Sequence, residues 1–327
     1  MRPKLPLALL SIFIVWGFVF SLVQTQTVTA YPLLQTDTNE IFLPVVLKAA
    51  PTPVPTPVPT SAPTPVAAGI VINHTAIAQF DRIPDSYITA ASQLHSLFRH
   101  ASVGDNIDIG LDCLMNTTLP RPNVCTTGLL PGQDLYNSKY DRSNWDFEFH
   151  APPPSQNPGW WDKVNFFVSR VDGLGSGSSY QVVAFKFGYV DAYTGSAIDN
   201  VFFTRNANDN YPGIENLEAL QTRHPNKLVV LWTMGLARAI GTVDSTSFNN
   251  QMRAYAITNE IPLMDIADIQ SHRPNGTSCV DNQGNNQPAL CDEYTEEING
   301  GHLNTLGKQI MAKAYWVMMA RLAGWQP

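Results

Sequence analysis

With 327 residues, of which 44% are hydrophobic and 10% aromatic, the chain has apolar material for one large or two ordinary folded domains. Its net charge of −7 is spread along the sequence without a basic block, which argues against nucleic acid as a partner. None of the four cysteines has the CxxC spacing of a zinc site or a thioredoxin-like motif.

In chain order, Arg2 and Lys4 precede an apolar run over 5–23, and Val28-Thr29-Ala30 supplies small residues for cleavage, the layout of a secretory signal over 1–30. The run is also long enough to stay uncleaved, so a membrane tether through 5–23 remains an alternative. Residues 31–68 carry an apolar patch, IFLPVVL, and then the repeat PTPVPTPVPTSAPTPV. Alternating proline favours an extended polyproline II stalk with no means of building a core, and its threonines suit O-glycosylation. A folded domain is expected over 69–327, secreted or held at the cell surface.

Within that domain, 83–95 reads as a helix with Pro84 and Asp85 in its first turn. The stretch SLFRHASVGDNIDIG, 96–110, is a short apolar run that ends in small residues and a glycine, so a strand should give way to a sharp turn at Ser102. Residues 111–158 read as loop. A helix is expected over 160–171, a strand buried on both faces over 181–187, and a helix over 211–224. A buried strand follows at 226–234, a helix at 248–259 and a strand at 261–266. A polar loop fills 271–301, and an amphipathic helix closes the chain over 303–322. Strands separated by helices imply a three-layer α/β/α sandwich with a central parallel sheet. Cys113 and Cys125, and Cys279 and Cys291, fall as two close pairs. In an exported protein they read as two local disulfides, the alternative being four free thiols. With no G-x-G-x-x-G after a strand and no Walker loop, a nucleotide is disfavoured, and no organic cofactor or metal is implied.

The strand ends line one rim of such a sheet. They bring forward Ser102, then Gly188-Tyr189-Val190-Asp191, Thr233, and Asp265 with Asp268, while His302 stands in NGGHLNTLG before the last helix. A serine in a turn and a glycine-flanked histidine suit a nucleophile and its base. Their structural alternatives are a small turn residue and a helix-entry residue capped by Asn304 or Thr305. His100 reads as a core histidine, Asp191 as an anchor for backbone N–H groups, and Asp105, Asp108 and Asp112 as a solvated face rather than a calcium loop. Trp145, Trp160, Trp161, Tyr136 and Tyr140 suit either sugar stacking or the core.

This order of motifs resembles the SGNH (GDSL-type) hydrolase family over most of 90–325. The resemblance implies a flavodoxin-like topology and places the nucleophile at Ser102, although His100-Ala101 stands where Gly-Asp usually precedes it. It maps an oxyanion-hole glycine onto Gly159 of NPGWW, and the Gly-x-Asn-Asp block onto Gly188 to Asp191 with Val190 in place of the donor asparagine. It maps the Asp-x-x-His block onto Asn299 to His302, so an amide replaces the usual acid. Asn299 can orient an imidazole but cannot stabilise imidazolium by charge. Asp292, Glu293, Glu296, Glu297, Asp265 or Asp268 could supply the charge, and Tyr189 or Asn106 the missing oxyanion donor. The expectation is a secreted, monomeric serine esterase acting on a small-molecule or polysaccharide ester, such as an acyl group on a carbohydrate, without a cofactor. The alternatives are an inactive domain of the same fold that binds glycans or surface components, and a purely structural wall protein.

Overall fold

Short β-branched and aromatic runs separated by helices give the chain a parallel sheet covered on both faces. The computed structural model describes residues 69–327 except 176, 194–196 and 206–209, so the expected signal (1–30) and stalk (31–68) lie outside the described residues. The strands are β1 (Val71–Ile72), β2 (Ser96–His100), β3 (Trp145–Phe149), β4 (Val182–Phe185), β5 (Leu228–Trp232) and β6 (Leu263–Met264). The helices are α1 (His74–Ile77), α2 (Asp85–Ser92), α3 (Val103–Met115), α4 (Asn123–Thr126), α5 (Trp160–Asp172), α6 (Tyr189–Tyr193), α7 (Ala197–Phe203), α8 (Ile214–Arg223), α9 (Thr242–Thr258), α10 (Ile266–Gln270) and α11 (Thr305–Leu322).

All pairings are parallel and the sheet order is β1-β6-β5-β4-β2-β3. Without the two-residue β1, this is the doubly wound, flavodoxin-like order, whose switch point falls between β2 and β4. Ligands in such sheets bind outside the strands' carboxyl ends at that point. Side-chain alternation along the strands divides the core in two. Phe98, Ala184, Val230, Trp232 and Met264 pack against α2, α3 and α11, while Leu97, Val183, Val229, Leu231 and Leu263 pack against α5, α8 and α9.

Three of the departures from the sequence reading have a clear physical cause. β3 lies in the stretch read as loop: Asp146 and Glu148 interrupt its apolar signature, and Glu148 is neutralised by Arg99 and Arg170 at 2.5 and 2.7 Å. α3 was hidden by its aspartates, although Val103, Ile107, Leu111 and Leu114 form one buried face. On its other side Asp108 and Asp112 pair with Arg142 at 2.6 and 2.5 Å, in place of a merely solvated face. α11 is not amphipathic. From Met311 to Leu322 only Lys313 and Arg321 escape full burial, because α2, α3 and the chain before them wrap it.

Both disulfides are formed, Cys113–Cys125 and Cys279–Cys291, each spanning a separation of 12 residues. Closing loops of this size restricts the unfolded chain by about 3 kcal/mol each.

Candidate active site

β2 delivers its last residue, His100, buried into the sheet end, and the chain then turns at Ser102 with φ 54° and ψ −111°. A positive φ on a serine stores about 1–3 kcal/mol and lifts the side chain off the sheet, as in a nucleophile elbow. The Ser102 carbonyl accepts the Asp105 N–H at 2.8 Å, which starts α3. Gly104 lets that first turn cross the strand, since a Cβ there would stand 2.3 Å from His100 Cβ.

From the other end of the chain, His302 Nε2 comes to 2.8 Å from Ser102 Oγ. Its Nδ1 lies 2.7 Å from Glu297 Oε1, and its backbone N–H donates to Glu297 Oε2 at 3.0 Å. A carboxylate beside Nδ1 places the ring proton there and leaves the Nε2 lone pair facing the serine hydroxyl. Burial works to raise the Glu297 pKa, but hydrogen bonds from the His302 N–H and ring and from the Gly301 N–H outweigh it and hold the carboxyl below its ordinary range.

The loop is fixed from several sides. Thr295 Oγ1 donates to the His302 carbonyl at 2.6 Å, and the Leu303 N–H donates to Asn106 Oδ1 at 2.8 Å, tying the His302 loop to the helix that follows Ser102. The Arg238 and Ala239 N–H groups bond the carbonyls of Gly300 and Asn299 at 3.0 and 3.2 Å. Gly301 has to be glycine, because a Cβ would lie 2.6 Å from both the Leu236 carbonyl and the Tyr189 ring. The Tyr189 ring meets His302 edge-on at 6.0 Å.

The geometry thus reassigns several candidates. The position expected for Asn299, beside the imidazole, is filled by Glu297, one of six carboxylates the sequence left in contention. Its signal was the Gly300-Gly301 pair, which folds the chain back so that a residue five positions before the histidine reaches the ring. The Gly188 N–H does not face an oxyanion site, since the Asp191 carboxylate accepts it at 2.6 Å. That carboxylate also accepts from buried Lys163 at 2.6 Å, which makes Asp191 an anchor of the turn after β4. Gly159 ends the chain's approach to α5 and packs on the Trp161 ring. Asn106 acts as an acceptor for the His302 loop, and Val190 is 37% exposed. His100 is a core residue whose pKa is pushed down to about 3 by burial and then by the charges of Lys186, Arg99 and Arg142, so it stays neutral. Trp145, Trp160 and Tyr140 are buried, whereas Trp161 is 41% exposed and Tyr136 38%.

No protein-family model matches the chain, and no curated protein sequence matches it. Three solved structures are similar to it at low identity. A candidate acylhydrolase from Bacteroides fragilis has 13% identity and a TM-score of 0.41 over 76% of this chain and 95% of its own. A GDSL-like lipase from Bacteroides thetaiotaomicron has 14% identity and a TM-score of 0.39 over 72% and 94%. A candidate platelet activating factor from Streptococcus pneumonia has 12% identity and a TM-score of 0.35 over 72% and 92%. What the site of this chain can do has to come from its own atoms.

Proposed function

We propose that the chain is an exported serine ester hydrolase of the SGNH type, with Ser102 as nucleophile, His302 as general base and Glu297 as the acid that orients and charges the imidazole. The observation that carries this reading is the continuous hydrogen-bonded line from Ser102 Oγ through His302 to Glu297, with contacts of 2.8 and 2.7 Å.

In the first half-reaction Ser102 Oγ attacks the ester carbonyl carbon while its proton passes to His302 Nε2. The imidazolium that forms is stabilised by the Glu297 carboxylate, and its proton then leaves with the alcohol. Water repeats the sequence on the acyl-enzyme and releases the acid. The developing oxyanion calls for donors close to Ser102. Among the described residues the Ser102 N–H has no backbone acceptor, and it stands at the start of α3 where the helix dipole favours negative charge.

An acylated carbohydrate suits the rim. α5 and α8 both begin at the carboxyl edge of the sheet, and there Trp161 and Tyr211, 41% and 40% exposed, hold their rings 6.0 Å apart. Exposed aromatic faces of this kind suit stacking on sugar rings. The two disulfides support export to an oxidising compartment.

The test is labelling of the purified full chain with a fluorophosphonate, which reacts with activated serines without knowledge of the substrate. Labelling of the wild type, lost in Ser102→Ala and His302→Ala, is the expected outcome, followed by release of acetate from acetylated sugars. A folded wild type that takes no label would overturn the reading in favour of a glycan-binding domain.

A further inference from the structure

The loop that carries Glu297 and His302 also holds a reactive dipeptide that the proposed chemistry does not use. The chain contains two Asn-Gly pairs, Asn275-Gly276 and Asn299-Gly300, both in the stretch between α10 and α11. In such a pair the glycine backbone nitrogen can attack the asparagine side-chain carbonyl, because no Cβ on the following residue hinders the approach. Both asparagines are exposed. The two pairs differ in what holds them.

Asn275 is locked. Its Oδ1 accepts the Thr277 N–H at 2.9 Å, and the Gly276 N–H donates to the Arg273 carbonyl at 2.8 Å, so the attacked group and the attacking nitrogen are both engaged. The bridge between His272 and Ser278, and the Arg273 N–H bond to the Thr277 carbonyl at 2.9 Å, close the turn around them. At the second pair, among the described residues, no hydrogen bond engages the Asn299 side chain or the Gly300 N–H. The backbone there is held at its carbonyls: that of Asn299 accepts the Ala239 N–H at 3.2 Å, and that of Gly300 accepts the Arg238 N–H at 3.0 Å. A bond to the Asn299 carbonyl polarises the peptide it shares with Gly300, which acidifies the N–H that has to lose its proton.

From this contrast we infer that Asn299-Gly300 is a self-modification site of the folded protein. The Gly300 nitrogen bonds to Asn299 Cγ and the Cγ–Nδ2 bond breaks. The Gly300 proton leaves with the side-chain nitrogen as ammonia, and a cyclic succinimide remains. Water then opens the ring. Attack at Cγ gives aspartate at 299, whereas attack at the main-chain carbonyl carbon gives isoaspartate, whose backbone runs through the side chain and is one atom longer. The loop has no slack for that longer product. A Cβ on Gly300 would overlap the Glu297 carboxylate, and one on Gly301 would stand 2.6 Å from the Leu236 carbonyl, so an added backbone atom has to displace Glu297 from His302. In this respect the inference rests on the proposed reading of the site: as the protein ages, isoaspartate at 299 takes the Ser102 centre out of service.

The test is incubation of the purified full chain in mildly alkaline buffer, both folded and in urea. Acidic digestion and mass spectrometry then separate asparagine, aspartate and isoaspartate at 275 and 299. Expected in the folded chain is conversion at Asn299 at least about tenfold faster than at Asn275, where ring closure must first break two hydrogen bonds. In urea the two rates should converge. Over the same incubation fluorophosphonate labelling should fall in step with isoaspartate at 299. Asn299→Gln, whose longer side chain closes a ring far less readily, should hold its labelling. Asn299 left intact in the aged folded chain, Asn275 converted as fast as Asn299, or the same preference for Asn299 in urea would each overturn the site. Constant labelling while isoaspartate accumulates would overturn its effect on the Ser102 centre. A fresh wild type that takes no label would count against the hydrolase reading alone, and the digest would still decide the site.

Discussion

Glu297 is the residue on which the proposed chemistry turns. Glu297→Gln keeps an acceptor near the ring but removes the charge that stabilises imidazolium. Hydrolysis of a p-nitrophenyl ester is expected to fall by about 10³–10⁴-fold with little change in KM. The carboxyl is held below its ordinary range in the folded chain, so it contributes stability at neutral pH that is lost as pH falls through its depressed pKa. Thermal melts of the wild type and of Glu297→Gln should therefore converge as the solution is acidified. The sequence narrowed the acid to six residues and went no further. The choice depends on which way a loop doubles back, and only the fit of Gly300 and Gly301 against Glu297, Tyr189 and Leu236 decides that.

Among the elements, the loop between α10 and α11 carries Glu297 and His302 together, and the Cys279–Cys291 bond closes its first part. Cys291 is fully buried and its N–H bonds the Gln270 carbonyl at 2.9 Å, so the bond anchors the loop to the end of α10. The double variant Cys279→Ser/Cys291→Ser should lose about 3 kcal/mol in denaturant unfolding. Fluorophosphonate labelling at Ser102 should slow in parallel, whereas the Cys113→Ser/Cys125→Ser pair should lose stability with little effect on labelling. The buried strands β4 and β5 were legible from sequence because their runs are uniformly apolar, and the turn after β2 because small residues follow one. β3 and α3 were not legible, since Asp146, Glu148, Asp108 and Asp112 carry charges whose partners come from distant segments. Local pattern cannot announce a charge that tertiary structure neutralises.

Across the whole molecule, acid should be the chain's weak side. His100 and His150 are buried and neutral, with pKa values pushed down to about 3 and about 2, first by burial and then by neighbouring cations. An unfolded histidine titrates near 6.5, so below that value the unfolded chain binds protons that the folded chain refuses. Stability is then expected to fall by several kcal/mol between about pH 6.5 and pH 3. His150→Gln, which can still offer a donor to the Lys186 carbonyl, should flatten that slope in melts recorded as a function of pH. The three-layer fold itself followed from the alternation of elements. The central position of α11 did not, because the sequence reads as an amphipathic helix, whereas only Lys313 and Arg321 keep partial exposure over 311–322 and the rest is buried.

Ser102 and His302 lie 200 positions apart in the chain, and the helix directly after His302 fills the core behind the helix that follows Ser102. A ribosome therefore emits the serine long before the groups that would activate it. A chain cut short ahead of α11 carries Ser102, Glu297 and His302 but lacks the helix that packs against α3 and α2, so on the proposed reading its serine is expected to take no fluorophosphonate label.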